Sequence, residues 1–300
     1  MTFVRCNNIS MHRQKKVRTA SLSIFSNVFL IILKVIAGII SGSVSIISEA
    51  IHSAMDLLAA VIAFFSVRVS DLPPDARHPY GHGKYENVSG VIEAVLIFIA
   101  AIWIIYEAVH KLIAPVPVEN VGIGTVVMAV SAVVNFFVSR RLYKVAKETD
   151  SIALEADALH LKTDVYTSIG VAIGLGLLIL TGWHFLDPVI AIAVAMLILK
   201  ESYTLLKNAY SPLLDVSLSQ EEVEIFKEEM TRLGFPYHNL KTRKSGHFRF
   251  ADLHLELPET MELKEVHRIC DDIEKVLMAR LKNLEINIHV EPVNPETKPR

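Results

Sequence analysis

Six apolar segments, each close to the length that crosses a bilayer, constrain this chain more than any other feature. A helix rises about 1.5 Å per residue, so about 20 apolar residues span the hydrocarbon core. The 300 residues are 52% hydrophobic with a mean hydropathy of +0.40, too apolar for an ordinary soluble domain. The sequence therefore predicts an α-helical membrane domain of six transmembrane helices, approximately Ala20–Ile40, Val44–Val67, Val88–Leu112, Val121–Leu142, Ile152–Leu180 and Pro188–Leu206.

Basic residues lie in alternate connections between these segments. The stretch before the first segment and the loops after the second and the fourth carry them, whereas residues 41–43, 114–120 and 181–187 contain no Lys or Arg. Cytosolic loops of membrane proteins are enriched in Lys and Arg. We therefore expect a multi-pass protein of the inner (cytoplasmic) membrane with both termini in the cytosol.

Two segments repeat the motif His-x-x-x-Asp. His52 and Asp56 lie in the second segment and His160 and Asp164 in the fifth, and residues four apart share one face of a helix. Both carboxylates fall about a dozen residues into their helices, near the middle of the bilayer, where ionisable groups are costly and usually functional. Four such ligands on two antiparallel helices suit a tetrahedral divalent cation. Interhelical hydrogen bonds that only hold the helices together are the alternative, and the repetition of the motif disfavours them.

After the sixth segment the apolar runs shorten and charged residues return. Ser219-Gln-Glu-Glu222 has the form of a capping box, and Gly234 can end the helix that it opens. The further predicted elements are strands over His238–Lys244 and Phe248–Leu257, a helix over Glu262–Leu281 and a strand over Leu284–Glu291. The order α-β-β-α-β predicts a small cytosolic α+β domain, metallochaperone- or ferredoxin-like, with its helices on one sheet face. We expect a cytosolic tail over 1–18, the transmembrane domain over 19–209, the cytosolic domain over 210–293 and a tail over 294–300.

Two further groups of His and acidic residues lie outside the apolar segments. Alternation along the strands puts His254, His289 and Glu291 on a common polar face. His238 can join them from the preceding strand and His267 from the rim of the second helix, although a solvated face with scattered histidines is an equal alternative. The loop after the second segment carries Asp75, His78 and His82, a spacing that allows a surface metal site.

Cysteine content and missing motifs exclude several classes of protein. Cys6 and Cys270 lie far apart, which argues against a disulfide framework and against Cys-rich metal sites. The sequence contains no Gly-x-x-x-x-Gly-Lys-Ser/Thr motif, so ATP is not expected as the energy source. It also contains no His-Glu-x-x-His motif, which argues against a metalloprotease.

The chain resembles the cation diffusion facilitator family, in particular its bacterial zinc/iron-type efflux transporters. The resemblance extends from the first segment to Pro292 and depends on six spans, both His-x-x-x-Asp motifs, the loop sequence His-Pro-Tyr-Gly-His-Gly-Lys and a C-terminal domain with spaced histidines. It departs from the family where His52 replaces a frequent Asp, where Glu291 replaces a frequent Asp, and in lacking a His-rich loop between the fourth and fifth spans.

The resemblance implies roles for particular residues. It implies a transport site of His52, Asp56, His160 and Asp164, and a loop site of Asp75, His78 and His82. It implies a cytosolic site of His238, His254, His267, His289 and Glu291, which in relatives holds paired metal ions at a homodimer interface. It further implies that Lys84 and Asp215 tie the membrane domains together and that Leu159 lines a gate beside the transport site.

The function that we expect is export of a divalent transition metal, most simply Zn²⁺, in exchange for H⁺. His and Asp ligands without thiolate favour Zn²⁺, with Cd²⁺, Co²⁺, Fe²⁺ and Mn²⁺ as other substrates, whereas Mg²⁺ and Ca²⁺ prefer more oxygen ligands. Zn²⁺ is also the expected regulatory ligand. The expected partners are a second copy of the chain, the lipid bilayer and metal ions, but not nucleic acid. The alternatives are a membrane metal sensor that does not transport and, with less support, an intramembrane metalloprotease.

Overall fold

The structure, a computed structural model, describes residues 2–41, 44–113, 123–181 and 185–293. For parts of these ranges, notably 2–12, 44–49, 51–52 and 174–180, only the course of the backbone is described. Contacts divide the chain into two compact units, Met1–Tyr210 and Ser211–Arg300.

Long helices make up the first unit. They are α1 (Thr2–Ser41), α2 (Val44–Ser70), α3 (Lys84–Ile113), α4 (Ile123–Thr149), α5 (Ile152–Thr181) and α6 (Leu186–Tyr210). Residues 2–18, predicted as a tail, belong to α1, since no Gly or Pro interrupts the chain before Gly38. Within the described residues, three stretches are long and apolar enough to cross a membrane: Arg13–Ala37, Lys84–Ile113 and Pro188–Leu214. The helical membrane domain is thus confirmed, whereas the number of six crossings stays a prediction.

The helices of this unit pack in two groups that meet at α5. One group joins α1, α2, α4 and α5 around buried residues such as Leu142 and Leu161, and the other joins α3, α5 and α6 around Ile97 and Ile198. A Cβ atom at Gly90 would lie 3.1 Å from the Cβ of Ala209, so the glycine allows α3 and α6 to approach closely.

A buried ion network links α1 to α2 and α3. Lys16, one of the basic residues before the first apolar segment, is only 1% exposed. Its Nζ lies 2.6 Å from Oδ1 of Asp71 and 3.0 Å from Oε1 of Glu86, which also accepts a hydrogen bond from Ser70. A buried charge has to be paired in this way, so Lys16 has a packing role that a count of loop charges does not reveal.

The second unit is a three-stranded sheet covered by two helices. After a short 3-10 turn (Ser211–Leu214) come α7 (Gln220–Leu233), β1 (Tyr237–Ser245), β2 (Phe248–Leu257), α8 (Leu263–Arg280) and β3 (Leu284–Pro292). The capping box at Ser219 is present, and Gly234 ends α7 with φ +77°. The small sheet that the sequence predicts is therefore confirmed.

The strand register divides the sheet into an apolar and a polar face. The strands lie in the order β1-β2-β3, with β1 and β2 antiparallel and β2 and β3 parallel. Leu253 and Leu255 pack in one core with Phe226 of α7 and with Ile273 and Leu277 of α8. Because side chains alternate along a strand, His254, which lies between the two leucines, faces away from the helices.

Candidate metal-binding sites

A cluster of one His and two Asp side chains joins α2 to α5. Asp56 comes from α2, His160 and Asp164 come from α5, and one potential ligand atom of each lies within 4.8 Å of the others. Nε2 of His160 is 3.0 Å from Oδ1 of Asp56. Asp56 is 5% exposed, so the cluster lies inside the helical unit. Two motifs about a hundred residues apart in the sequence therefore meet, although the side chain of His52 lies outside the described residues.

Polar residues of α4 hold the α5 part of this cluster. Nδ2 of Asn135 donates a hydrogen bond of 3.2 Å to Oδ2 of Asp164, and Oγ of Ser139 donates one of 2.7 Å to the backbone oxygen of Ala158. The amide orients the carboxylate of Asp164. Asn135 thus supports a proposed ligand in addition to joining two helices.

Two further carboxylates are buried in the helical unit beside α5. Asp157 is 1% exposed and accepts a hydrogen bond of 3.0 Å from Ser23, and Glu93 is fully buried and accepts one of 3.3 Å from Ser89. Glu93 lies near the start of the third predicted segment, where a charged side chain can reach water, but it is buried inside the helical unit instead. The reason is that α3 turns this side chain towards α5, not towards the lipid. The sequence signal for Asp157 was its position three residues before His160, on a similar face of the helix.

The loop between α2 and α3 gathers an acid and two imidazoles. Oδ1 of Asp75 accepts hydrogen bonds from the backbone N–H groups of Arg77 (2.8 Å) and His78 (2.7 Å). Oδ2 lies 3.3 Å from Nε2 of His82, and Oδ1 lies 3.3 Å from Nδ1 of His78. Gly81, with φ +79°, makes the turn that brings the rings to a centroid distance of 4.4 Å.

The electrostatics of this loop suit a cation. The backbone hydrogen bonds from His78 and Arg77 lower the pKa of Asp75 below its usual value. The carboxylate is therefore charged at neutral pH, as a metal ligand has to be. Nδ1 of His82 is buried and has no hydrogen-bond partner within the described part of the chain.

A row of histidines crosses the polar face of the sheet. His238 is opposite His254 in the β1–β2 register, and His254 is opposite His289 in the β2–β3 register. Glu291 lies at the centre of the group: its oxygens are 2.8 Å from Nδ1 of His254, 3.3 Å from Nε2 of His238 and 3.6 Å from Nε2 of His289. His238, His254 and Glu291 present ligand atoms within 4.8 Å of one another, so they could hold one cation.

Glu256 belongs to this face, and our reading of the sequence missed it. Its Oε1 lies 3.0 Å from Nδ1 of His238, although outside hydrogen-bonding geometry, and the residue pairs with Glu291 across the strands. The signal was available, because Glu256 is two residues after His254 and two-residue spacing puts both on one face. It can orient His238 while the other ring nitrogen faces the cluster.

His267 is not brought to the sheet cluster. Its side chain is 78% exposed and lies 3.8 Å from Asp271, one turn further along α8. The physical reason is that α8 packs on the apolar face of the sheet, so its rim is on the other side from the histidine row. Within one chain the predicted set thus divides into a cluster and a separate His267.

The three residues with predicted gate and interlock roles lie in different settings. Leu159 packs against the core between α3, α5 and α6 and lines a cavity beside α5. Lys84 is the first residue of α3. Asp215 follows the 3-10 turn with φ +54° and lies 3.6 Å from Arg243 of its own unit. The gate and the interlock both stay predictions.

Comparison with known proteins covers both units. The family model of the cation efflux transmembrane domain matches residues 20–214, and that of the cation efflux protein cytoplasmic domain matches residues 235–293. An uncharacterized transporter of Synechocystis sp. is 34% identical over 277 residues, which cover 91% of this chain and 89% of that protein. The cation-efflux pump FieF of Shewanella oneidensis is 32% identical (91% and 93% covered), and FieF of Escherichia coli K12 is 30% identical (88% of each).

A solved structure of the zinc form of CzrB matches a smaller part of this chain than the two family models together do. CzrB is described there as a candidate zinc transporter. The match covers 28% of this chain and 99% of that chain at 33% identity, with a TM-score of 0.27. The family models cover most of the chain, and the FieF relatives match nearly its whole length. The chain therefore belongs to the cation diffusion facilitator family of membrane transporters that export metal cations.

Proposed function

We propose that the protein exports a divalent transition metal, Zn²⁺ first, from the cytosol in exchange for protons. The cluster of Asp56, His160 and Asp164 is the observation that carries this proposal, because it joins two motifs inside the helical unit. His52, four residues before Asp56, completes the proposed ligand set. Access to such a site from alternate sides of the membrane is the usual mechanism of secondary transporters.

The donor chemistry decides which metal is favoured. Imidazole and carboxylate in a four-ligand set suit Zn²⁺, and Cd²⁺ and Co²⁺ can replace it. Mg²⁺ and Ca²⁺ need six or more oxygen ligands, which the described cluster does not offer. Fe²⁺ and Mn²⁺ are weaker candidates, Mn²⁺ more so because imidazole suits it less than oxygen ligands.

Protons are the counter-ion that this site would use. Moving two positive charges out of a cell that is negative inside costs about 4.6 kcal/mol per 100 mV. Metal binds deprotonated ligands, so protonation of the same carboxylates and imidazoles releases it. Protons that flow inward and bind at the three residues of the cluster can therefore supply the free energy for metal export.

The loop and sheet clusters have regulatory roles in this proposal. Metal bound by His254, His289 and Glu291 of two chains would favour one arrangement of a homodimer. Asp75, His78 and His82 would gather cations at the surface. With this function the protein would lie in the cytoplasmic membrane with both termini in the cytosol. Residues 19–209 would form the transport domain, and residues 210–293 would form the domain for sensing and dimerisation.

The test is Zn²⁺ uptake into proteoliposomes under an imposed pH gradient. Asp164→Ala should abolish gradient-driven uptake, because it removes a ligand from the cluster. Glu107→Ala is the matched control, since this carboxylate is exposed near the end of α3 and pairs only with Lys111 among the described residues. Equal uptake by Asp164→Ala and wild type would refute the site. Tight binding without uptake of Zn²⁺, Cd²⁺, Co²⁺, Fe²⁺ or Mn²⁺ by wild type would instead support a metal sensor.

A further inference from the structure

A groove between α4, α5 and α6 has no residue of the metal clusters in its lining. It has a volume of about 770 Å³ and is lined by four residues of α4 between Phe136 and Tyr143, by seven of α5 between Glu155 and Ile169 and by six of α6 between Leu197 and Asn208. On α5 its lining residues Leu159, Lys162 and Tyr166 recur every three or four positions, and they form a stripe that contains neither His160 nor Asp164. The proposed transport ligands of α5 therefore do not line the groove.

One end of the groove lies at the expected cytosolic ends of its three helices, and the groove extends from there towards their middle. On α6 it runs from Leu197 to Asn208, two residues before Tyr210, where the helix ends and the chain continues towards the cytoplasmic domain. Its α4 and α5 residues flank the short connection between those helices. In a protein that spans the bilayer, this end of the groove lies at the depth at which lipid headgroups meet the acyl region, and the rest of it lies at the depth of the acyl chains.

The charges of the groove leave a positive excess. Oε1 of Glu155 lies 2.6 Å from Nζ of Lys147, and Glu201 accepts two hydrogen bonds of 3.1 Å from Lys162. Both carboxylates that line the groove are therefore neutralised. Arg140 and Lys200 also line it, are exposed, and contact no carboxylate in the part of the chain that the structure describes. Two cationic groups of the lining thus remain to attract an anion.

The rest of the lining is apolar or aromatic. Leu159, Ile169 and Leu197 provide aliphatic surface, and the ring of Tyr166 lies 5.1 Å from Nζ of Lys162. Such a volume lies in the range of about 300–1,000 Å³ that holds small ligands, enough for a headgroup with the first part of an acyl chain. A free anion would gain nothing from the aliphatic wall, and a zwitterionic lipid would bring no net negative charge to balance the two cations.

We propose that this groove binds an anionic phospholipid of the cytoplasmic leaflet. Arg140 and Lys200 contact its phosphate, and its acyl chain lies along Leu159, Ile169 and Leu197. Basic pockets between transmembrane helices on the cytoplasmic side recognise anionic headgroups through this combination of charge and apolar wall. The lipid would join α4 to α6 across α5, the helix that carries two of the proposed transport ligands.

The test measures lipid retained by the purified full-length protein in detergent, with native mass spectrometry as the readout. The probes are phosphatidylglycerol and phosphatidylcholine. Wild type should retain phosphatidylglycerol in preference to phosphatidylcholine. In the double variant Arg140→Gln with Lys200→Gln that retention should fall about 30-fold, which is about five- to sixfold for each basic side chain. The exchange variant Arg140→Lys with Lys200→Arg, which keeps both charges, should retain the lipid.

The matched control is Arg141→Gln with Lys207→Gln. These residues also lie on α4 and α6 and carry the same total charge, but neither lines the groove. An equal loss of phosphatidylglycerol in the control, or none in the Arg140 and Lys200 variant, would overturn the proposal. Displacement of phosphatidylglycerol by soluble glycerol phosphate would also overturn it, because the site would then bind an anion without its acyl chain. None of these outcomes depends on metal transport.

Discussion

Glu222 has two structural roles that can be separated by substitution. Its Oε2 accepts a hydrogen bond of 3.1 Å from the backbone N–H of Ser219, which completes the capping box of α7. Its Oε1 accepts one of 2.6 Å from Nε of Arg249, which fastens α7 to β2. Both side chains of the ion pair are largely buried, at 18% and 14% exposure. Glu222→Gln keeps a cap acceptor and loses the charge, whereas Glu222→Ala loses both.

The magnitudes follow from these contacts. A largely buried hydrogen bond between charged groups contributes about 1.5–3 kcal/mol, and a bond with one neutral partner keeps roughly half of that. Loss of a cap costs about 1 kcal/mol more. We therefore expect the free energy of opening of α7 to fall by about 1–2 kcal/mol in Glu222→Gln and by about 2–4 kcal/mol in Glu222→Ala at neutral pH.

The pH dependence has a definite sign. Burial acts to raise the pKa of Glu222, but the hydrogen bond and charge of Arg249, with the bonds from Ser219, outweigh it and lower the pKa. A carboxylate with a lowered pKa stabilises the folded state fully above its unfolded pKa of about 4.3. That contribution is lost as the pH falls through the lower, folded value. Wild-type α7 should therefore lose protection in acid by this route, and Glu222→Gln should not.

Hydrogen exchange of the α7 amides, read by mass spectrometry on the full-length protein and corrected for intrinsic rates, measures this opening. Glu221→Gln is the matched control, since Glu221 is exposed in the same helical turn. Equal protection in Glu222→Gln and wild type at neutral pH would refute the reasoning. So would an equal loss in Glu222→Gln and Glu222→Ala.

Three further substitutions test other contacts. Gly170→Ala should lower the stability of the helical unit by about 1–3 kcal/mol, because the added Cβ would lie 2.9 Å from Cγ2 of Val194. Thermal unfolding measures the loss, and this reasoning would be contradicted if adding Val194→Ala to Gly170→Ala did not restore stability. Asn135→Leu should weaken half-saturation of Zn²⁺ uptake about 10–100-fold by releasing Asp164, and unchanged uptake would show that the amide has no such role. Glu256→Gln should weaken one Zn²⁺-binding event by a similar factor, about 10–100-fold, in calorimetric titration, whereas an unaltered titration would remove Glu256 from the sheet site.

Local periodicity was sufficient for predicting the elements of both units. Apolar length predicted the helices, and the capping box and Gly234 predicted both ends of α7. Two-residue alternation predicted the polar row of His254, His289 and Glu291, because that pattern depends only on the backbone.

Contacts between elements could not be predicted in this way. Nothing local distinguishes the buried Lys16, with its two carboxylate partners, from a loop lysine that only sets topology. The burial of Glu93 can be predicted only if the face that α3 turns towards α5 is known. The separation of His267 from the sheet cluster can be predicted only if the sheet face that α8 covers is known, because the position of His267 within α8 fits either face.

The most direct test of metal–proton exchange at Asp164 is a recording of lumenal pH while Zn²⁺ enters vesicles with no pH gradient imposed. The proposed function predicts that inward Zn²⁺ movement through the wild type drives protons out, so the lumenal pH rises in step with Zn²⁺ uptake. In Asp164→Asn both signals should disappear, while Glu107→Gln keeps both. Zn²⁺ uptake without a change in lumenal pH would contradict proton coupling. The same pH rise in Asp164→Asn would contradict the transport site.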